Sequence, residues 1–230
     1  MQLNIAKEIE RYFSPQVLRI FKNTAKLADE CGYKIYIVGG TVRDIILGRN
    51  SGDIDIAVEG DAIRLGRVIV GRLLPGACFV SYKSFGTCSI NIKKGLKLDL
   101  AMARKEIYKR PGAMPTVKPG SLEDDLKRRD FTINAMAVSI NDKDFGRLFD
   151  PFSGMRDLKN GVIRVMHDAS FIDDPTRILR ALRFALRFAF RIEPGTKRLM
   201  KSALETKALE TVSSGRIEKE ILIMQKREGK

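Results

Sequence analysis

Apolar positions recur at helical spacing in "LNIAKEIERYF" and in "PQVLRIFKNTAKLADECG", where Gly32 supplies a stop. "KIYIVGG" reads as a strand entering a glycine turn, "TVRDIILGR" as a short helix and "DIDIAVEG" as an alternating strand. "DAIRLGRVIVGRLL" returns to helical spacing. The strand patterns "ACFVSYK", "TCSINIK" and "LKLDLAMA" follow, with Gly86 and Gly95 in the turns between them. Strands so closely spaced predict antiparallel neighbours, because a parallel crossover needs a longer connection. Residues 105–121, "KEIYKRPGAMPTVKPGS", carry three prolines and two glycines and read as a loop. "LEDDLKRRDFTINAMAVSI" is expected as a helix running into a strand, and "DPFSGMRDLKNG" as turns. From residue 168 the spacing is helical in "DDPTRILRALRFALRFAFRI", "GTKRLMKSALETKALETV" and "SSGRIEKEILIM". The pattern predicts an α+β front over residues 1–165, its mixed, largely antiparallel sheet flanked by helices, and an all-helical rear over 166–230.

Composition changes the picture in three places. Lys and Arg number 42 against 28 Asp and Glu, a formal charge of +14, which suits a polyanionic partner and equally a highly charged solvated surface. No apolar run reaches bilayer-spanning length, and "MQLNIAKEIERYF" lacks signal-peptide order, so no membrane partner and a cytoplasmic location are expected. Cys31, Cys78 and Cys88 have no metal-ligand spacing and read as reduced thiols. His167 is the sole histidine, which argues against a histidine-rich metal centre and a Ser-His-Asp triad.

Against that basic background, "DIDIAV" places Asp53 and Asp55 two residues apart, on one face of a strand, with Ile54, Ile56 and Val58 on the other. Neighbouring carboxylates repel unless a cation lies between them, and Mg²⁺ favours hard oxygens and phosphates. Asp99, in "LKLDLAM", is a candidate third carboxylate. The alternative is that Asp53 caps a turn after "NSG" and Asp55 is solvated on an edge strand. Gly39 and Gly40 sit between a strand and a helix, where backbone N–H groups can meet an anion, and Arg43 falls in the first turn of that helix. A tight structural turn would use the same glycines. The spacing matches neither G-x-x-x-x-G-K nor G-x-G-x-x-G, so P-loop and Rossmann readings are disfavoured. A phosphate cradle beside a magnesium site describes a nucleoside triphosphate. Further on, "DDPTRILRALRF" puts Pro175 at a first helical position with Asp174 as N-cap, and Arg177, Arg180 and Arg183 in a slanting stripe that could equally be solvated or ion-paired.

"YIVGGTVRDIILGRNSGDIDIAV" resembles the signature of the tRNA nucleotidyltransferase and poly(A) polymerase family, in its bacterial class II form, within the DNA polymerase β superfamily. "LDLAMARKEIY", "GSLEDDLKRRDFTINAMAV", "DPFSGMRDLKNGVIRV" and "DDPTRILRALRFA" match in the family's order, so the resemblance covers roughly residues 33–195. It implies a polymerase β-like catalytic head over 1–165 and a helical neck over 166–230. The implied reaction is attack of an RNA 3′-hydroxyl on the α-phosphorus of CTP or ATP, with pyrophosphate leaving and two Mg²⁺ ions neutralising charge. By position, Asp53 and Asp55 would ligate metal and Asp99 would help polarise the hydroxyl. Gly39, Gly40 and Arg43 would contact the triphosphate and Arg129 the nucleotide, with Asp130 and Asn134 near Arg129, orienting it and the ribose. Asp174 and Arg177 would read the base edge, and Arg180 and Arg183 would add nucleotide contacts. Asp173 departs from the pattern, which has glutamate there.

The implied product is CCA on a tRNA 3′ end. CC-only addition, A-only addition and poly(A) synthesis share these motifs, and a non-catalytic RNA-binding module on the same fold is the competing class. Such relatives continue into body and tail regions that hold tRNA. This sequence stops near the end of a neck, so the expectation is either a piece of a longer chain or a naturally short version that relies on a partner chain, on self-association or on its own basic surface.

Overall fold

The computed structural model describes residues 3–49, 53–92, 95–107, 112, 113 and 115–228. The "NSG" stretch at 50–52, expected as a turn, and residues 108–111 and 114 of the predicted loop lie outside them.

Helices α1 (Ala6–Tyr12) and α2 (Pro15–Glu30) precede strand β1 (Lys34–Val38). Ser14 starts α2 by accepting the Val17 amide, and Pro15 takes the first helical position, where its missing N–H costs nothing. Then come α3 (Gly40–Leu47), β2 (Asp53–Glu59) and α4 (Ala62–Arg72), the last capped by Asp61, whose carboxylate accepts from the Arg64 amide at 2.9 Å. The strands β3 (Cys78–Tyr82), β4 (Thr87–Asn91) and β5 (Lys97–Met102) form the expected antiparallel meander. After β6 (Arg104–Ile107) and β7 (Thr116–Pro119) the chain makes α5 (Leu122–Lys127), β8 (Ala137–Ser139) and β9 (Leu148–Phe149).

Among the described residues the main sheet has seven strands in the order β3-β4-β5-β2-β1-β8-β9. Every neighbouring pair is antiparallel except β2 with β5. The mixed, largely antiparallel sheet is therefore as expected. Its one parallel pair arises because α4 and the β3–β4 hairpin carry the chain back before β5 begins. β2 alternates as predicted, with Ile54, Ile56 and Val58 buried, and Leu98 and Leu100 of β5 continue the same apolar layer. α4 packs on β3, β4 and β5, and α2 packs on β1 and α4, so the helices cover this face.

Two short strands stand where the sequence reads as loop: β6 and β7 pair as a separate two-stranded sheet. Prolines signal a break, yet a ribbon with only one partner per strand leaves their missing N–H groups unneeded, and Pro119 closes β7. The turn-rich segment also contains a helix, α6 (Gly154–Lys159). It is held by burial of Asp157, whose carboxylate accepts from Thr132 Oγ1 at 2.8 Å and Arg164 Nε at 2.9 Å. Beyond β10 (Val162–Ile163) lie α7 (Ser170–Asp173), α8 (Thr176–Phe188), β11 (Arg191–Ile192), α9 (Pro194–Glu205) and α10 (Ser214–Glu228). β11 pairs parallel with β10, so the rear is not purely helical; two residues are too short a run to show a strand period.

The chain packs into two compact units that interleave along the sequence. One comprises Met1–Lys105, Val117–Lys127 and Asn134–Pro151; the other comprises Glu106–Thr116, Arg128–Ile133 and Phe152–Lys230. A single boundary at residue 165 was expected; the second unit instead begins its long run at Phe152 and takes in two earlier segments. Its core is aromatic: Phe131 meets Phe184 edge-on with centroids 5.8 Å apart, and Phe184 stacks with Phe188 at 5.9 Å.

Candidate functional site

In the first unit, Gly39 takes φ 67° and ψ −131°, turning the chain out of β1 into α3. A side chain would strain that backbone, which explains glycine there. A Cβ at Gly40 would lie 3.3 Å from Arg43 Nη2, so the second glycine makes room for the guanidinium of its own helix. Arg43 is buried. Its Nε and Nη2 bind Asp44 Oδ1 at 2.9 and 2.8 Å, and Nη1 donates to Asn134 Oδ1 at 2.5 Å. Asn134, expected beside Arg129, is thus placed on Arg43.

Thr41 joins this turn to the acidic strand. Its hydroxyl accepts the Asp55 amide proton at 3.2 Å and donates to the Asp53 carbonyl at 3.3 Å. Thr41 is not legible in the sequence, because a threonine in a short helix carries no chemical signature. On β2, Asp53 is exposed and Asp55 half-buried, so the strand is not a solvated edge: it lies between β1 and β5. The register pairs Asp55 with Asp99 and Asp53 with Lys97, which puts all four on one sheet face.

Asp99 is itself held. Ser89, its register partner on β4, donates to Asp99 Oδ1, and Lys97 Nζ binds Oδ2 at 2.6 Å. The hydrogen bond to Asp99, joined by the charges of Asp99, Asp53 and Asp55, holds the Lys97 ammonium above the usual lysine range despite some desolvation. The three carboxylates therefore act together on one cation. Among the described residues, no three His, Cys, Asp or Glu side chains are close enough to make a metal-holding group. The hard oxygens of Asp53 and Asp55, in a field that already attracts an ammonium, nevertheless suit Mg²⁺. Lys97 could have been found from sequence, since it lies two residues before Asp99 on a strand.

In the second unit, α8 begins at Thr176, not Pro175. Asp174 is extended, and its Oδ1 accepts from Thr176 N at 3.1 Å and Thr176 Oγ1 at 2.6 Å. The expected N-cap aspartate does accept from a helix-start amide, that of Thr176 two residues on, although the helix begins one residue later than expected. Arg216 Nη2 also donates to Oδ1, at 2.9 Å, so the described bonds fall on one oxygen. Arg177 is buried, with Nη1 on Ser170 Oγ at 2.7 Å and Nη2 on the Arg128 carbonyl at 2.9 Å.

Two arginines of the stripe, Arg180 and Arg183, are ion-paired, one of the two alternatives open in the sequence, whereas Arg177 donates to a hydroxyl and a backbone carbonyl. Asp130 Oδ2 accepts from Arg180 Nε at 2.9 Å and Nη2 at 2.5 Å, and Glu220 binds Arg180 Nη1 at 3.3 Å and Arg183 Nη2 at 3.1 Å. The Asp130 charge is the main reason the Arg180 guanidinium is held more firmly protonated than usual. Asp130, expected to orient Arg129, is thus engaged by Arg180. Arg129 is half-buried in the same unit. Arg216 and Glu220 carried no local signal: each is an ordinary charged position on an amphipathic helix.

Residues 35–164 match the family described as "Poly A polymerase head domain". An "A-adding tRNA nucleotidyltransferase" from Aquifex aeolicus (strain VF5) is 52% identical over 188 residues, covering 82% of this chain and 22% of that protein. A solved structure described as "The structure of CCA-adding enzyme apo form II" superposes with a TM-score of 0.90 at 46% identity, covering 96% of this chain and 52% of that one. Another, "The complex structure of CCA-adding enzyme with ATP", gives 0.88 at 44% identity, covering 98% and 51%. The chain thus spans about half the length of these solved structures and less of the Aquifex protein. The order of its motifs, the seven-stranded sheet and the match over residues 35–164 agree: the chain belongs to the poly A polymerase head domain family.

Proposed function

We propose that this chain carries the nucleotidyl-transfer machinery of an enzyme that extends the 3′ end of tRNA from CTP and ATP. The observation that carries the reading is the Thr41 hydroxyl, which fastens the glycine-turn helix to the Asp53–Asp55 strand. A phosphate grip and a carboxylate pair are then neighbours in one rigid unit, as a nucleoside triphosphate with Mg²⁺ requires.

In this reading the helix start after Gly39, with Arg43 behind it, favours the triphosphate's negative charge. Asp53 and Asp55 would hold Mg²⁺, which when bound would neutralise phosphate charge and acidify the attacking hydroxyl. Asp99, steadied by Ser89 and Lys97, helps polarise the 3′-hydroxyl, whose proton passes to solvent. The oxygen–phosphorus bond to the RNA forms as the α–β bridging bond breaks, and pyrophosphate departs. Asp174 selects the base. At the ring carbon where cytosine and adenine carry an amino group that donates to a carboxylate, uracil and guanine carry a carbonyl that a carboxylate repels. Arg177 supplies donors beside it, and Arg129, Arg180 and Arg183 reinforce the nucleotide-binding surface of the second unit.

The relative named as A-adding favours a second reading, in which only the terminal AMP is added. One assay separates the two. The protein is incubated with Mg²⁺, each labelled NTP in turn, and tRNAs ending at the discriminator base, C, CC and CCA. Stepwise CMP then AMP incorporation supports CCA addition, and AMP on the CC end alone supports A-addition. RNA binding with no incorporation from any NTP would replace both with a non-catalytic role.

A further inference from the structure

Helix α10 directs two side chains, one helical turn apart, at the residues proposed to meet the nucleotide. Arg216 reaches Asp174, and Glu220 reaches Arg180 and Arg183. The Arg216 guanidinium is itself fixed at two points: Nη2 on Asp174 Oδ1 at 2.9 Å and Nη1 on the Gly112 carbonyl at 3.2 Å. The backbone that receives Nη1 is closely set. Gly112 lies at φ +68°, and a Cβ there would sit 2.4 Å from Thr211 Oγ1 and 2.8 Å from Thr211 O. Its amide faces the Asp173 carbonyl at 3.3 Å. A planar fork held at both ends fixes a direction as well as a charge.

We propose that Arg216 is a specificity-determining positioning residue: it locks the Asp174 carboxylate by one oxygen so that the other is presented to the base. With Oδ1 shared between Thr176 and Arg216, the carboxylate cannot rotate to offer a different edge. Without Arg216, Thr176 alone holds Oδ1 from the side of the helix start, and the carboxylate gains freedom to turn away from an incoming carbonyl. Discrimination against GTP and UTP then falls while affinity for ATP and CTP changes little. The inference rests on the base-reading role proposed for Asp174.

The test measures equilibrium binding of labelled ATP, CTP, GTP and UTP, each with Mg²⁺, to the wild-type chain and to Arg216→Met, Arg216→Lys and Asp174→Ala. Thermal unfolding is followed in parallel. The expected result is that Arg216→Met narrows the preference for ATP and CTP over GTP and UTP by roughly fivefold, with an unfolding temperature close to wild type. Arg216→Lys, which keeps the charge but loses the fork and preserves folding, restores part of the preference. Wild-type selectivity in Arg216→Met or Arg216→Lys, with selectivity lost in Asp174→Ala, overturns the positioning role alone. Selectivity unchanged in Asp174→Ala, or no NTP bound by the wild type, overturns the base-reading assignment and this inference with it.

Discussion

Arg43 and Asn134, 91 residues apart in the chain, meet through a 2.5 Å hydrogen bond from Nη1 to Oδ1 inside the first unit. The pair ties the glycine-turn helix to the segment that begins at Asn134, a contact absent from the sequence reading, which set Asn134 beside Arg129. Asn134→Ala removes an acceptor from a buried guanidinium and is expected to cost about 1–3 kcal/mol in urea unfolding. It should also raise the KM for ATP several-fold. Asn134→Asp keeps the acceptor and should be milder in both measurements.

Thr41→Val is nearly isosteric but deletes both hydroxyl bonds to the start of β2. A stability loss of roughly 1–2 kcal/mol is expected, together with a fall in nucleotide incorporation larger than the small unfolded population explains. Thr41→Ser retains the hydroxyl and should keep most activity. Equal incorporation in wild type and Thr41→Val would show that the turn and the acidic strand work independently.

Asp53→Asn and Asp55→Asn preserve shape and remove the charge that favours Mg²⁺. Each is expected to abolish nucleotide incorporation while the circular dichroism spectrum and urea midpoint stay near wild type. An active Asp53→Asn, Asp55→Asn double variant would refute the metal assignment.

The N-terminus of α9 gives an acid-sensitive contact. Burial of the Glu193 carboxyl opposes its ionisation, but hydrogen bonds from the Gly195 and Thr196 amides and the Thr196 hydroxyl, with the Arg164 charge, prevail and hold it below the usual carboxylate range. The folded value is depressed, so this contribution is complete above the unfolded pKa of about 4.3 and is lost as pH falls through the lower folded value. Glu193→Gln should flatten the stability–pH curve between about pH 5 and pH 3. A wild-type slope in the variant would show that other carboxyls control acid unfolding.

Thiol labelling should divide the cysteines. Cys88 is buried, its Sγ donates to the Ala62 carbonyl at 3.3 Å, and burial pushes its pKa up to about 12. Cys78 is exposed. Under native conditions Cys78 should react with a disulfide reagent rapidly and Cys88 only after unfolding. Mass spectrometry of the labelled peptides reads both.

Much of this was legible in the chain. Asp53 and Asp55 share a face because strand side chains alternate, and Ile54, Ile56 and Val58 must then point to the core. Gly39 announces a turn because few other residues tolerate its backbone. Less visible was anything that depends on a partner distant in sequence. The "KRRD" arginine and aspartate looked like neighbours with a shared task, yet Asp130 holds Arg180, 50 residues away. The arginine stripe was visible by its spacing, but spacing says nothing about whether a carboxylate waits opposite.

Local rules of backbone and side-chain direction therefore determined the longer strands and helices and the shared face of the two acids. Tertiary packing alone decided that Asp99 lies beside Asp55, that Thr41 pins the acidic strand, and that Arg216 and Glu220 serve α8. Periodicity specifies which way a residue points within its own element. Which residue it then meets depends on sheet order and helix docking, and those are set by the burial of the whole chain.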